Sequence, residues 1–249
     1  MTKFKNKKVL VLGLGVSGYA AAELLAKKGA LVKVSECADN AQVAERRELL
    51  SHSGVCCETG GHTAYFCGDA ELVVTSPGVD VDPLYRSGVL NKDSELIGEL
   101  ELGFQFCRAP IIAITGTNGK STVTGLVGRI LSFSGRHTIV CGNIGNPLCG
   151  EVEKLTEESV AVVEVSSFQL ETIRDFRPHV AVLLNISEDH YQRHVDYSRY
   201  RDVKFRIFGN QSPVDEAVLH PDFRDDPEVR EIKGRLAFFG SIKLSLIHI

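Results

Sequence analysis

No apolar run in this 249-residue sequence approaches the roughly 20 residues needed to cross a bilayer. The start, "KFKNKKVLVLGLGV", has the basic residues and apolar stretch of a signal peptide. The stretch is short, however, and Gly13, Gly15 and Gly18 interrupt it. It reads as a first core strand behind a basic start, in a cytoplasmic protein without membrane contact. Strong charge of one sign is also missing: the formal net charge is −4, so no nucleic-acid partner is expected. The seven cysteines are odd in number and lack C-x-x-C spacing, and the adjacent Cys56 and Cys57 cannot easily both serve one compact zinc site. They read as reduced thiols, which fits a reducing compartment. Low-complexity segments and tandem repeats are absent. The 43% hydrophobic and 24% charged content is ordinary for a soluble globular chain, and the length accommodates one large or two small domains.

What is present is an alternation of strand-like and helix-like runs. "KVLVLGLG" reads as a buried strand, and "SGYAAAELLAKKG" as a helix that begins after Gly18 and stops at Gly29. "ALVKVSE" and "AELVVTSPG" follow as strands. From residue 110 the pattern restarts, with "PIIAITG" as a strand and "KSTVTGLVGRILSFSG" as a helix ending at Gly135. "HTIVCGNIG", "VAVVEVSS" and "HVAVLLNIS" are further apolar runs, of the kind that suits parallel strands covered on both faces. The expected fold class is α/β: a Rossmann-like parallel-sheet domain at residues 1–98, then a P-loop NTPase-like domain at residues 99–249. The boundary is placed around "ELIGELELG". "RLAFFGSIKLSLIHI" begins as another strand and stops without a cap, so the second domain reads as unfinished, and whether "SLIHI" is native stays open.

Each expected domain opens on a glycine loop between a strand and a helix. Gly13, Gly15 and Gly18 match G-x-G-x-x-G, which gives a tight turn, close backbone approach to a phosphate, and amides at a helix N-terminus. Glu36, eighteen residues beyond Gly18, stands where an acid would accept a ribose hydroxyl of NAD. From these residues alone a dinucleotide, another nucleotide such as a UDP-linked substrate, and a turn needed only for packing all remain open. The second loop, "TGTNGKST", follows Thr115 with Gly116, Thr117, Asn118, Gly119, Lys120, Ser121 and Thr122. It ends as a P-loop does, although Ile114 stands where the first glycine of G-x-x-x-x-G-K-[ST] belongs. Backbone amides, a lysine for the β/γ-phosphates and a hydroxyl for Mg²⁺ point to ATP or GTP. Glu164, closing "VAVVEVSS", and Glu188, Asp189 and His190, closing "NISEDH", are carboxylates and a histidine at strand ends, where parallel sheets bind ligands.

"TGTNGKST", "EVSSFQLE" and "NISEDHYQRH", in this order and with "SPG" at 76–78 and "GNIG" at 142–145, resemble the Mur ligases of bacterial cell-wall synthesis over residues 8–211. "EVSSFQLE" is most similar to the members that add D-glutamate to UDP-N-acetylmuramoyl-L-alanine. The resemblance implies an ATP- and Mg²⁺-dependent amide ligase acting through an acyl phosphate, expected as a monomer. It places the UDP-sugar, not NAD, against Gly15, Val16, Ser17 and Gly18, with Glu36, Cys37, Ser76, Pro77 and Gly78 near the uridine. Asn143 would contact the sugar and alanyl portion. Lys120 would neutralise phosphate charge; Ser121 or Thr122 with Glu164 would hold one Mg²⁺, and His190 would help place a second. Lys204 matches a lysine that is often carbamylated in the family, which would make it an anionic Mg²⁺ ligand. Gln192 departs from the pattern, standing where the family usually has an acid. The family's third, C-terminal domain finds no match here, so these residues alone are expected to turn over little. A sister ligase using another amino acid, a non-catalytic nucleotide-binding fragment and an NAD-dependent oxidoreductase are the alternatives; the last leaves "TGTNGKST" unexplained.

Overall fold

The computed structural model describes residues 3–187 and 197–240. Its strands are β1 (Lys8–Leu12), β2 (Leu31–Glu36), β3 (Cys56–Thr59), β4 (Leu72–Thr75), β5 (Glu95–Gly98), β6 (Ile111–Thr115), β7 (Thr138–Gly142), β8 (Val160–Glu164), β9 (Val180–Leu183), β10 (Glu216–Leu219) and β11 (Arg235–Phe238). The helices are α1 (Val16–Lys27), α2 (Ala41–Ser51), α3 (Ala64–Cys67), α4 (Asp82–Arg86), α5 (Glu99–Phe106), α6 (Lys120–Phe133), α7 (Leu148–Glu151), α8 (Ser167–Leu170) and α9 (Tyr197–Phe205). None of them is long and apolar enough to cross a membrane. None of the seven cysteines forms a disulfide.

The chain divides into two compact units. The first runs to Arg108 and also takes in Ile144–Thr156 and Glu171–Phe176. Its sheet is parallel, in the order β3-β2-β1-β4-β5. Val9 to Leu12 of β1 lie between β2 and β4 and are at most 1% exposed. A central parallel strand is covered on both faces, so it is apolar at every position rather than alternating. The edge strand β3, "CCET", has no fully buried residue, and so carried no apolar run to reveal it.

Helix α1 starts at Val16, earlier than the expected start after Gly18. Gly18 therefore sits in its first turn, where a Cβ would lie 1.9 Å from the Gly13 carbonyl oxygen. The glycine is there for close approach, not to end a loop. β5 runs directly into α5, with Gly98 as the N-cap. Glu101 of α5 is fully buried, and its carboxylate accepts the backbone N–H groups of Arg174 (2.8 Å), Asp175 (3.1 Å) and Phe176 (2.9 Å). Three charge-assisted bonds to one carboxylate hold the 171–176 segment in the first unit.

The second unit comprises Ala109–Asn143, Glu157–Leu170 and the chain from Arg177 onward. Its sheet is parallel, in the order β11-β10-β9-β6-β8-β7. β6 is central, and all five residues of its neighbour β8 are buried. Residue pairs Ile114↔Glu164, Thr115↔Leu183 and Gly142↔Glu164 bring the C-terminal ends of β6, β7, β8 and β9 level. That row of strand ends is where the second glycine loop emerges.

Candidate active site

The loop between β6 and α6 is held from behind. The Thr117 amide donates to the Asn185 carbonyl (2.9 Å), and Asn185 immediately follows the β9 run. The Thr117 hydroxyl receives the Ser187 amide (3.1 Å) and lies 3.3 Å from the Tyr200 hydroxyl of α9. Gly116 has φ +156°, and a Cβ there would meet Leu184 at 3.0 Å. Gly119, with φ +83°, turns the chain into α6 as its N-cap. The first amides of a helix have no intrahelical partner, so Lys120, Ser121 and Thr122 present donors where the helix dipole favours an anion. Ser121 and Thr122 are exposed there. The Lys120 ammonium lies back on its own loop, donating to the carbonyls of Gly116 (3.0 Å) and Thr117 (2.8 Å). An ammonium has three hydrogens, so one is left for a phosphate oxygen.

Glu164, at the end of β8, is 2% exposed. Its Oε1 accepts the Asn143 side-chain amide (2.8 Å), and its Oε2 is buried with no hydrogen-bond partner. An orphaned carboxylate oxygen on a row of strand ends, beside a P-loop, has the chemistry a Mg²⁺ ligand requires, so the donor set fits that ion. Asn143 is placed by Gly142, where a Cβ would fall 2.3 Å from the Glu164 carbonyl oxygen. Lys204, in the last turn of α9, is 1% exposed; its Nζ donates to the Gly116 carbonyl (3.0 Å) and lies 4.6 Å from the Tyr200 ring centre. The structure thus gathers Gly116 to Thr122, Asn143, Glu164 and Lys204 around one loop. Glu188, Asp189, His190 and Gln192 lie outside the described residues. Asn185 and Tyr200 went unnoticed in the sequence. Asn185 had a signal: like Glu164, it is a polar residue that closes an apolar run, "VAVLL".

In the first unit, the "GLGVSG" turn is shaped at Leu14. The Leu14 amide donates to Glu36 Oε2 (2.6 Å), and Arg46 donates to the Leu14 carbonyl (2.9 Å). The other Glu36 oxygen accepts the Ala38 amide (2.8 Å) and the Cys37 thiol (3.3 Å). Partial burial works to raise the Glu36 carboxyl, but the backbone donors of Ala38 and Leu14 outweigh it and hold it below the usual range. The same contact, with its hydrogen bond to Glu36, pushes the Cys37 thiol up. Glu36 therefore latches the glycine turn to the end of β2. Ser76 follows β4 and lies against Gly13, whose missing Cβ would stand 3.0 Å from the Ser76 hydroxyl. Nothing lies within 4 Å of a Cβ built on Gly15 or Gly78, so their openness is free for a ligand to approach. Val16 is exposed and Ser17 half-buried at the start of α1, beside Gly15. Pro77 joins Ser76 to Gly78 on the same rim.

Two parallel-sheet units, each with a glycine turn leading from a strand into a helix N-terminus, define a nucleotide-binding α/β protein. The sequence matches the Mur ligase middle domain over residues 114–244 and the MurD-like Mur ligase N-terminal domain over residues 7–98. The chain belongs to the Mur ligase family. It is 47% identical over 233 residues to the UDP-N-acetylmuramoylalanine--D-glutamate ligase of Geotalea uraniireducens (strain Rf4), covering 93% of this chain and 50% of that protein. To the ligase of the same name from Desulfosudis oleivorans (strain DSM 6200 / JCM 39069 / Hxd3) it is 44% identical over 242 residues, covering 96% of this chain and 52% of the relative. The chain thus spans about half the length of the curated relatives it matches. Among solved structures, the UDP-N-acetylmuramate:L-alanyl-gamma-D-glutamyl-meso-diaminopimelate ligase from Neisseria meningitides superposes with a TM-score of 0.59 at 15% identity, over 94% of this chain and 78% of that one. That likeness is one of fold.

Proposed function

We propose that the chain supplies the UDP-substrate domain (residues 1–98) and the ATP-binding central domain (residues 99–249) of a ligase that joins D-glutamate to UDP-N-acetylmuramoyl-L-alanine, as a cytoplasmic monomer in peptidoglycan precursor synthesis. The observation that carries the reading is the P-loop at the end of β6 with the orphaned Glu164 oxygen on the adjacent strand end. The names of the relatives support the choice of substrates. The alanyl carboxylate attacks the γ-phosphorus of ATP, the bond to ADP breaks, and an acyl phosphate forms. The amine of D-glutamate adds to its carbonyl carbon; the tetrahedral intermediate expels phosphate, and the nitrogen loses a proton. Charge gathers on phosphoryl oxygens, so positioned cations and amides supply most of the rate. Gly116 to Thr122 cradle the triphosphate, and Lys120 spends its third hydrogen on a phosphate oxygen. Glu164 and Ser121 or Thr122 hold Mg²⁺, which neutralises phosphate charge when bound; His190 is the expected partner of a second ion. Gly15 to Gly18, Glu36, Cys37 and Ser76 to Gly78 receive the uridine diphosphate portion, and Asn143 the sugar and alanyl portion.

Lys204 is the carbamylation candidate in this reading. Its amine would add to CO₂ and lose a proton, and the carbamate nitrogen would keep one hydrogen for the Gly116 carbonyl, a bond present in the lysine form. Lys204→Ala should abolish ADP formation, and short carboxylic acids should restore part of it by standing in for the carbamate. Full activity in the variant would end the carbamate assignment.

A further inference from the structure

We propose that Asn185 is the residue that sets the register of the phosphate loop, a positioning role that rests on the phosphate-loop reading above. Its side-chain Nδ2 donates to the Asn118 carbonyl (3.0 Å), and its Oδ1 accepts the Asn118 amide (2.9 Å). Its own backbone carbonyl accepts the Thr117 amide (2.9 Å). One residue therefore takes up both backbone groups of Asn118 and the amide before it, as a neighbouring strand would. The primary amide is the one short side chain with a donor and an acceptor side by side, so it can pair with both sides of a backbone residue at once.

Two consequences follow from this pairing. The amides of Thr117 and Asn118 are consumed within the protein, so the backbone donors turned to an anion include those from Gly119 to Thr122, beside the third hydrogen of Lys120. The free backbone amides are thereby weighted towards the helix end of the loop. The pairing also fixes the peptide that leads into Gly119, whose φ of +83° aims those amides. Without it, the run of glycine and small polar residues would have to be ordered when the phosphates bind, and affinity would fall by the cost of that ordering. Among the described residues, the Asn185 side chain bonds to the loop backbone, so its effect reaches the phosphates through the loop.

The test measures Mg-ADP binding calorimetrically in the full-length protein and in Asn185→Ala, Asn185→Asp and Lys120→Ala. Loss of two backbone bonds should weaken Mg-ADP about ten-fold or more in Asn185→Ala, at temperatures where a melt shows the variant folded. Asn185→Asp should be weakened at least as much at about pH 8, because a carboxylate has no hydrogen for the Asn118 carbonyl and adds negative charge beside the phosphates. Relative to wild type, Asn185→Asp should recover affinity as pH falls through about 4, the ordinary aspartate range, because a protonated carboxyl donates again; Asn185→Ala should not. Wild-type affinity in Asn185→Ala, or no recovery by Asn185→Asp, alongside a weakened Lys120→Ala, overturns the role of Asn185 alone. Wild-type affinity in Lys120→Ala overturns the phosphate-loop reading and this proposal together.

Discussion

Glu164→Gln separates the stability of the site from its function. The carboxylate is 2% exposed, with one hydrogen bond from Asn143 and one oxygen without a partner. A hydrogen bond to a charged group returns about 1.5–3 kcal/mol, whereas removing an ion from water costs several. The metal-free protein therefore carries Glu164 at a net cost. Glutamine keeps the Asn143 bond through its carbonyl and discards the charge, but leaves an N–H unsatisfied at about 1 kcal/mol or more. The difference is a gain of about 1–2 kcal/mol, or a Tm higher by roughly 2–8 °C for a chain of this size. The assay is a melt followed by circular dichroism, since the chain has no tryptophan to report unfolding. It is run in EDTA and again with Mg²⁺ and ADP. Without metal the variant should melt above the wild type; with Mg-ADP only the wild type should gain, and the ligase activity of the full-length protein should fall by at least about ten-fold, the scale of a lost metal contact. A variant that melts below the wild type in EDTA, or that gains as much from Mg-ADP, would refute the reasoning.

Two further perturbations probe the first unit. Burial pushes the Glu99 carboxyl, 1% exposed, up to about 7 against the opposing Cys149 N–H. The folded state keeps a proton that the unfolded chain releases near 4.5, so this contribution to stability is full below that pH and is lost as pH rises to about 7. Glu99→Gln should flatten that stretch of the stability–pH curve, and an unchanged slope in denaturant melts would contradict the assignment. In Glu101→Gln, one carboxylate oxygen becomes an NH₂ facing backbone donors. The loss of about 3 kcal/mol should speed hydrogen exchange at Arg174, Asp175 and Phe176 by about a hundred-fold, and protection within three-fold of wild type would refute the anchor.

The central strands were legible because burial on both faces leaves a continuous apolar record: β1, β6, β8 and β9 stand where "KVLVLGLG", "PIIAITG", "VAVVEVSS" and "HVAVLLNIS" put them. The edges were not. β3 is "CCET" and β5 is "ELIG", too short and too polar for a period to show. The start of α1 was read late because Gly18 looked like loop, whereas its role is contact with the Gly13 carbonyl. At the site, the glycines, Lys120 and Glu164 announced themselves by residue type and position at strand ends. Asn185 and Tyr200 act on backbone and hydroxyl partners 67 and 83 residues away, a relation that only the fold creates. The grip of Glu36 on Leu14 is of the same kind: the acid was visible in the sequence, its partner was not.

The most direct measurement is ADP formation by the full-length protein, with UDP-N-acetylmuramoyl-L-alanine, ATP and Mg²⁺, across a panel of D-glutamate, L-alanine and a diamino acid. The account predicts turnover that depends on D-glutamate and disappears in Lys120→Ala. Turnover with L-alanine or the diamino acid in place of D-glutamate, or ADP formation that ignores the amino acid altogether, would contradict it.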